Sequence, residues 1–112
     1  NEFKSRCIDL TNFDQEIIAV PVSIATIVLD ARATNITGIE PYPDRYNGYL
    51  TVYVIKENGD RGLIVPQMEI PPNDSLEFIK GKFVLQEGDV MYAKADTVER
   101  LQLVVSYLET SA

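Results

Sequence analysis

Turn-forming residues interrupt this chain at short intervals, and the segments left between them are too short and too β-branched for helices, so the pattern demands strands. The clearest unit is YLTVYVIK over residues 49–56, followed by Glu57-Asn58-Gly59-Asp60 and the return run Leu63-Ile64-Val65. Leu50, Val52 and Val54 fall on one side of that run and Tyr49, Thr51, Tyr53 and Ile55 on the other, and Asn-Gly is expected to supply two positive-φ residues of a tight hairpin turn. Upstream, VSIATIVLDARATNI over residues 22–36 alternates from Ile27 onward, setting Ile27, Leu29, Ala31 and Ala33 against Val28, Asp30, Arg32 and Thr34. Downstream, Pro66, Pro71 and Pro72 cannot donate ladder hydrogen bonds, so residues 65–74 read as an edge strand leaving the sheet. SLEFI, KFVLQ and VMYAKA then read as three short strands separated by Lys80-Gly81 and Glu87-Gly88-Asp89. ERLQLVVSYLE reads as a strand in preference to a helix, because Leu101, Leu103, Val105 and Tyr107 alternate.

Seven or eight such strands in 112 residues make one all-β domain, an antiparallel β-sandwich or a jelly-roll-like domain. Two segments fit its body poorly. Residues 1–19 have no clean apolar face and are expected to form an extended N-terminal arm, with the sandwich over residues 20–112. Residues 37–48, TGIEPYPDRYNG, are expected as a long loop stiffened by two prolines. Neither element is expected to be needed to close the sandwich.

Composition narrows the chemistry. Seventeen acidic against ten basic residues give a net charge of −7, which opposes a surface that tracks phosphates, so no nucleic-acid partner is expected. Histidine is absent, removing the usual general base and the commonest metal ligand. No catalytic residue, cofactor or metal site is expected, and no enzyme activity. Calcium could use Glu40, Asp44, Glu57, Asp60, Glu87 and Asp89, but these acids match no calcium loop and read as solvated turns. Lys80-Gly81-Lys82 reads as a hairpin corner. The longest apolar run, residues 17–29, is broken by Pro21, Ser23 and Thr26 and falls short of the roughly 20 residues of a spanning helix, so no membrane span is expected, nor a signal peptide in the charged N-terminal stretch.

What remains is contact with partners. Tyr42, Arg45, Tyr46 and Tyr49 have the composition of an interface hot spot, and Phe3, Cys7, Ile8, Leu10 and Phe13 give the arm apolar groups to bury on a neighbour. Cys7 has no internal partner for a disulfide, leaving packing in a contact or a bond to another chain.

The phrases PVSIATIVL over residues 21–29, ATN over 33–35, IPPNDSLE over 70–77, GKFVLQEGD over 81–89 and SYLE over 106–109 occur in an order that resembles small virion structural proteins of tailed bacteriophages. In those proteins an Ile-Pro turn, a Gly-Lys-Leu-Val-Leu strand and a Glu-Gly-Asp turn follow one another; here Phe83 stands at the usual leucine. The resemblance implies a non-enzymatic virion component, docked in several copies at the neck, collar or tail, with capsid decoration as the close alternative and a receptor- or glycan-binding module as a third. It also implies assembly in the host cytoplasm, a symmetric oligomer, and other virion proteins and copies of itself as partners. It supplies no site residues.

Overall fold

The computed structural model describes all residues Asn1–Ala112, as eight strands and no helix: β1 Glu2–Asp9, β2 Gln15–Ala19, β3 Ile24–Asn35, β4 Gly48–Ile55, β5 Arg61–Ile70, β6 Ser75–Leu85, β7 Val90–Ala95 and β8 Leu101–Ser111. They form two antiparallel four-stranded sheets, ordered β1-β8-β3-β6 and β2-β7-β4-β5. The first strand pairs with the last, the second with the seventh, the third with the sixth and the fourth with the fifth. The chain is thus one long hairpin ribbon rolled over on itself, which is the jelly-roll form of the β-sandwich.

The tip of that ribbon is the turn after β4. Gly59 donates to the Lys56 carbonyl at 2.9 Å and Lys56 to the Asp60 carbonyl at 2.7 Å; Gly59 has φ +95, while Asn58 stays at negative φ. The turn is therefore a three-residue loop with one left-handed residue, in place of the expected two-residue turn with two. Asn58 acts through its side chain, whose Oδ1 accepts from the Asp60 amide at 2.9 Å.

Twenty-one apolar side chains fill the space between the sheets, among them Leu50, Val52 and Val54 of β4, Met91, Ala93 and Ala95 of β7, and Leu101, Leu103, Val105 and Tyr107 of β8. The alternation expected in β3 changes phase midway. Thr26 and Val28 point inward, then Ala31, Ala33 and Asn35, because the register against both β6 and β8 slips between Val28 and Asp30. Leu29 is the extra residue against β8. Against β6 it faces two residues, Gly81 and Lys82, with Gly81 at φ +85. That is a glycine bulge, so the expected corner at Lys80-Gly81 is absent and SLEFIKGKFVL is one strand. Pro66 is tolerated because β5 is an edge strand, as its prolines led one to expect.

Residues 1–19 do not stand apart. β1 and β2 are edge strands of opposite sheets, Arg6 Nη1 donates to the Ile17 carbonyl at 2.5 Å, and Leu10, Ile17, Ile18 and Val20 lie in the core. The segment looks irregular because β1 borders solvent along its free edge, while the residues that close the sandwich fall at its end and beyond.

Candidate functional site

The connections after β1, β3, β5 and β7 meet at one end of the sandwich, tied by backbone bonds such as Ile36 N to Arg100 O and Asn35 N to Asp74 O, both 2.9 Å. Asn35, the last residue of β3, is fully buried and uses its whole hydrogen-bonding capacity. Its Nδ2 donates to the carbonyls of Tyr46 at 2.8 Å and Ile70 at 2.7 Å, and its Oδ1 accepts from Thr37 N at 2.9 Å and Thr37 Oγ1 at 2.7 Å. Thr37 Oγ1 also lies 2.9 Å from the Tyr46 carbonyl, which shares the hydroxyl's single proton with Asn35 Oδ1, and it accepts from the Tyr46 amide at 3.1 Å, so both ends of loop 36–47 are pinned to one amide. Between them Gly38, at φ +87, donates to the Tyr42 and Asp44 carbonyls and lets the Arg45 stem pass close above it.

Against this loop lies the β7–β8 connection. The Arg100 guanidinium stacks over the Tyr46 ring at 4.6 Å, donates to the Asn47 carbonyl at 3.0 Å and reaches Asp96 Oδ2 at 3.4 Å. An open cleft of about 390 Å³ separates the two loops, lined by Tyr42, Asp44, Tyr46, Thr97, Glu99 and Arg100 among others. It offers two phenols, a hydroxyl and two carboxylates beside a cation already engaged, a set suited to polar and aromatic contact with another surface.

The structure divides the nine expected contact residues among four places. Tyr42 and Tyr46 line the cleft, with Tyr46 49% exposed, while Arg45, on the same loop, runs outside it over Gly38 beside Asn73; Phe13 is exposed on the β1–β2 connection at the same end. Tyr49, the second residue of β4, lies on the outer face of its sheet, and its hydroxyl donates to Glu69 Oε2 at 2.9 Å, a bond that raises its pKa. Phe3 and Cys7 lie open on the outer face of β1, in register with Leu108 and Val104. Ile8 packs against the core, and Leu10 is 1% exposed within it, so Leu10 serves packing and reaches no partner.

Sequence reasoning missed Asn35, Thr37 and Arg100, whose only signal is a polar pair, Asn35 and Thr37, closing an otherwise β-branched run. It also placed Asp89 in a solvated turn. Asp89 is 1% exposed at the opposite end of the sandwich, where it accepts from the Lys56 ammonium and from the amides of Gln86 at 2.8 Å and Glu57 at 3.3 Å. Burial pushes its pKa up, but those three donors together outweigh burial and hold it below the usual carboxylate range. The stability it confers is full above an unfolded-state pKa of about 3.9 and is lost as pH falls through the lower folded value. Asp89→Ala is expected to cost about 2–3 kcal/mol at pH 7, since it strands two amides; in acid titrations of urea midpoints the gap to the parent chain should narrow below about pH 4.

The outer face of the second sheet carries a further aromatic group, Tyr53 stacked on Tyr92 at 5.2 Å with the Arg61 guanidinium 4.2 Å above Tyr53. No group of three or more His, Cys, Asp or Glu residues is placed to hold a metal ion.

No protein-family profile matches the chain, and no curated protein sequence matches it. Among solved structures it is similar to a protein of Bacillus endospore appendages, described as disulfide-linked pili, with a TM-score of 0.53 and 11% identity over 98% of this chain and 87% of that one. It is also aligned with a pentameric capsid protein from metagenomic phage sequences, with a TM-score of 0.44 and 12% identity over 91% of this chain and 63% of that one. The first likeness shows a shared fold.

Proposed function

We propose that this chain is a non-enzymatic structural subunit of a tailed-bacteriophage particle, repeated at the neck, collar or tail, with capsid decoration the close alternative. The observation that carries the reading is the loop over residues 36–47: its backbone is fixed by the buried Asn35 and Thr37, while Arg45 is exposed at its surface, Tyr46 keeps about half of its area exposed beneath the stacked Arg100, and Tyr42 is partly exposed. Ordering of a contact loop before docking removes much of the entropic cost of binding. The resemblance of residues 21–109 to virion proteins supports the reading, and a fold shared with a pilus protein is compatible with a part in an assembly.

The test is the triple variant Tyr42→Ala, Arg45→Ala, Tyr46→Ala. All three side chains lie outside the core, so the variant is expected to keep its far-ultraviolet circular dichroism while its incorporation into particles is lost; hot-spot truncations of this kind cost about 2 kcal/mol or more each. Incorporation at normal copy number would reject the loop as the docking element. Binding of a glycan by the isolated chain, abolished by the same changes, would favour the receptor-binding alternative.

A further inference from the structure

Of the ten cationic side chains, Lys4, Arg32, Lys56, Lys80 and Arg100 are ion-paired with carboxylates, and Arg6 is held by a backbone carbonyl. Arg45, Arg61, Lys82 and Lys94 are left without an acidic partner, and two of these, Arg61 and Lys94, line the same open hollow of about 390 Å³ on the outer face of sheet β2-β7-β4-β5. No carboxylate lines it. On a chain of net charge −7, where acids are abundant, that pairing of unengaged cations is unusual. The hollow forms where β5 is kinked. Leu50 faces Met68 and Val52 faces Val65, so Pro66 and Gln67 together oppose Thr51 in a bulge, and Gln67 sits at φ +51, a left-handed conformation uncommon for a residue with a side chain. Backbone strain of this kind gathers at binding sites. Thr51 lies opposite Lys94 on the neighbouring strand, and the Arg61 guanidinium leans over the ring of Tyr53, the next outward residue of β4, at 4.2 Å. With its face on the ring, its N–H edge is left to fork two oxygens.

We propose that this hollow binds a carboxylated sugar, its carboxylate held between Arg61 and Lys94 and its hydroxyls by Thr51 and Gln67. Charge selects a monoanion. Two carboxylates elsewhere on this face, Asp14 and Glu69, accept from the hydroxyls of Tyr53 and Tyr49; they limit the positive field, which favours one added negative charge over the two of a phosphate. Size and lining select a sugar over a bare acidic side chain. The volume falls within the roughly 300–1,000 Å³ of small-molecule sites. Thr51 brings a hydroxyl and Gln67 a carboxamide, each able to donate and accept, and Leu63 and Pro66 supply an apolar edge for the C–H face of the ring. The site lies on a different surface from the loop over residues 36–47 and does not depend on the virion reading.

The test is a titration of the nitrogen-15-labelled full chain, followed through its amide resonances, with the methyl glycosides of glucuronic acid and of sialic acid, methyl glucoside, acetyl-glutamate amide and inorganic phosphate as separate probes. At least one of the two acidic glycosides should give saturable shifts at Thr51, Leu63, Gln67 and Lys94. Methyl glucoside, which lacks the charge, should give none there, and acetyl-glutamate amide and phosphate, which lack the sugar's hydroxyl contacts, should bind about tenfold more weakly. Arg61→Ala and Lys94→Gln should each weaken the acidic glycoside about tenfold, because each removes a charge-assisted hydrogen bond. Both side chains lie outside the core, so the circular dichroism should match that of the parent chain; Lys94→Gln alone decides the point if Arg61→Ala disturbs the tyrosine stack. Thr51→Val should weaken the glycoside while leaving phosphate binding unchanged. Absence of saturable shifts at these four amides with either acidic glycoside overturns the proposal, as does an affinity unchanged in Lys94→Gln. Equal affinity for the acidic glycoside and for phosphate or acetyl-glutamate amide would make the hollow a general anion contact and overturn the assignment to a sugar.

Discussion

Deletion of residues 1–16 is expected to unfold the domain. The truncation removes β1 and with it the partner of β8 along eight register positions, from Glu2 against Glu109 to Asp9 against Gln102. It also removes Leu10, which is 1% exposed, and whose truncation to alanine alone would cost about 2–5 kcal/mol through lost transfer energy and the cavity left behind. The Leu10 amide donates to the Leu101 carbonyl at 3.0 Å, so the start of β8 loses its backbone partner in the same step. Set against the 5–15 kcal/mol typical of a whole domain, these losses exceed what a chain of this size can absorb. Circular dichroism and a urea titration of the truncated chain check it: no cooperative transition is expected, and a folded protein with a midpoint near that of the full chain would mean that the sandwich closes without its first strand.

Asn35→Asp is expected to be the most damaging isosteric change. The shape is retained, but both donors of Nδ2 are replaced by an oxygen facing the carbonyls of Tyr46 and Ile70, at a site with no exposure. An uncompensated buried charge costs about 3–5 kcal/mol, which lowers Tm by roughly 15–20 °C in a domain of this length. The introduced carboxylate would hold its proton more tightly when folded than when unfolded, so the folded variant binds more protons and its stability falls as pH rises. The deficit relative to the parent chain should therefore be smaller at pH 4 than at pH 7 in calorimetric scans. A deficit independent of pH and below about 1 kcal/mol would mean that the loop is not hung on this amide.

These two sites mark where the sequence stops being legible. The existence of the hairpin at Asn58-Gly59, though not its turn type, the alternating run of β4 and the strand character of β8 are local signals, carried by residues close together in the chain, and they read correctly. The pairing of β1 with β8 joins residues about as far apart as the chain allows, and nothing near residue 5 records it; an edge strand with one solvent border shows no clean apolar face, so it passes for an arm. The bulge at Leu29 and Gly81-Lys82 fails for a different reason. A glycine flanked by lysines has the same composition at a bulge as at a hairpin corner, and only the length of β3, which needs a partner along most of its twelve residues, decides between them. The loop was half legible: Tyr42, Arg45 and Tyr46 stood out by composition, whereas Asn35 adjoins the loop but reads as one more strand residue, its partners Tyr46 and Ile70 lying farther along the chain, and Arg100 stacks on the loop from the distant β7–β8 connection.

The most direct measurement of the account is an electron cryomicroscopy reconstruction of the source particle. The account predicts several symmetry-related copies of this jelly roll, each with the loop over residues 36–47 pressed against a neighbouring protein and Tyr42, Arg45 and Tyr46 within the contact. A particle that lacks the chain, or that carries it with this loop facing solvent in every copy, would contradict it.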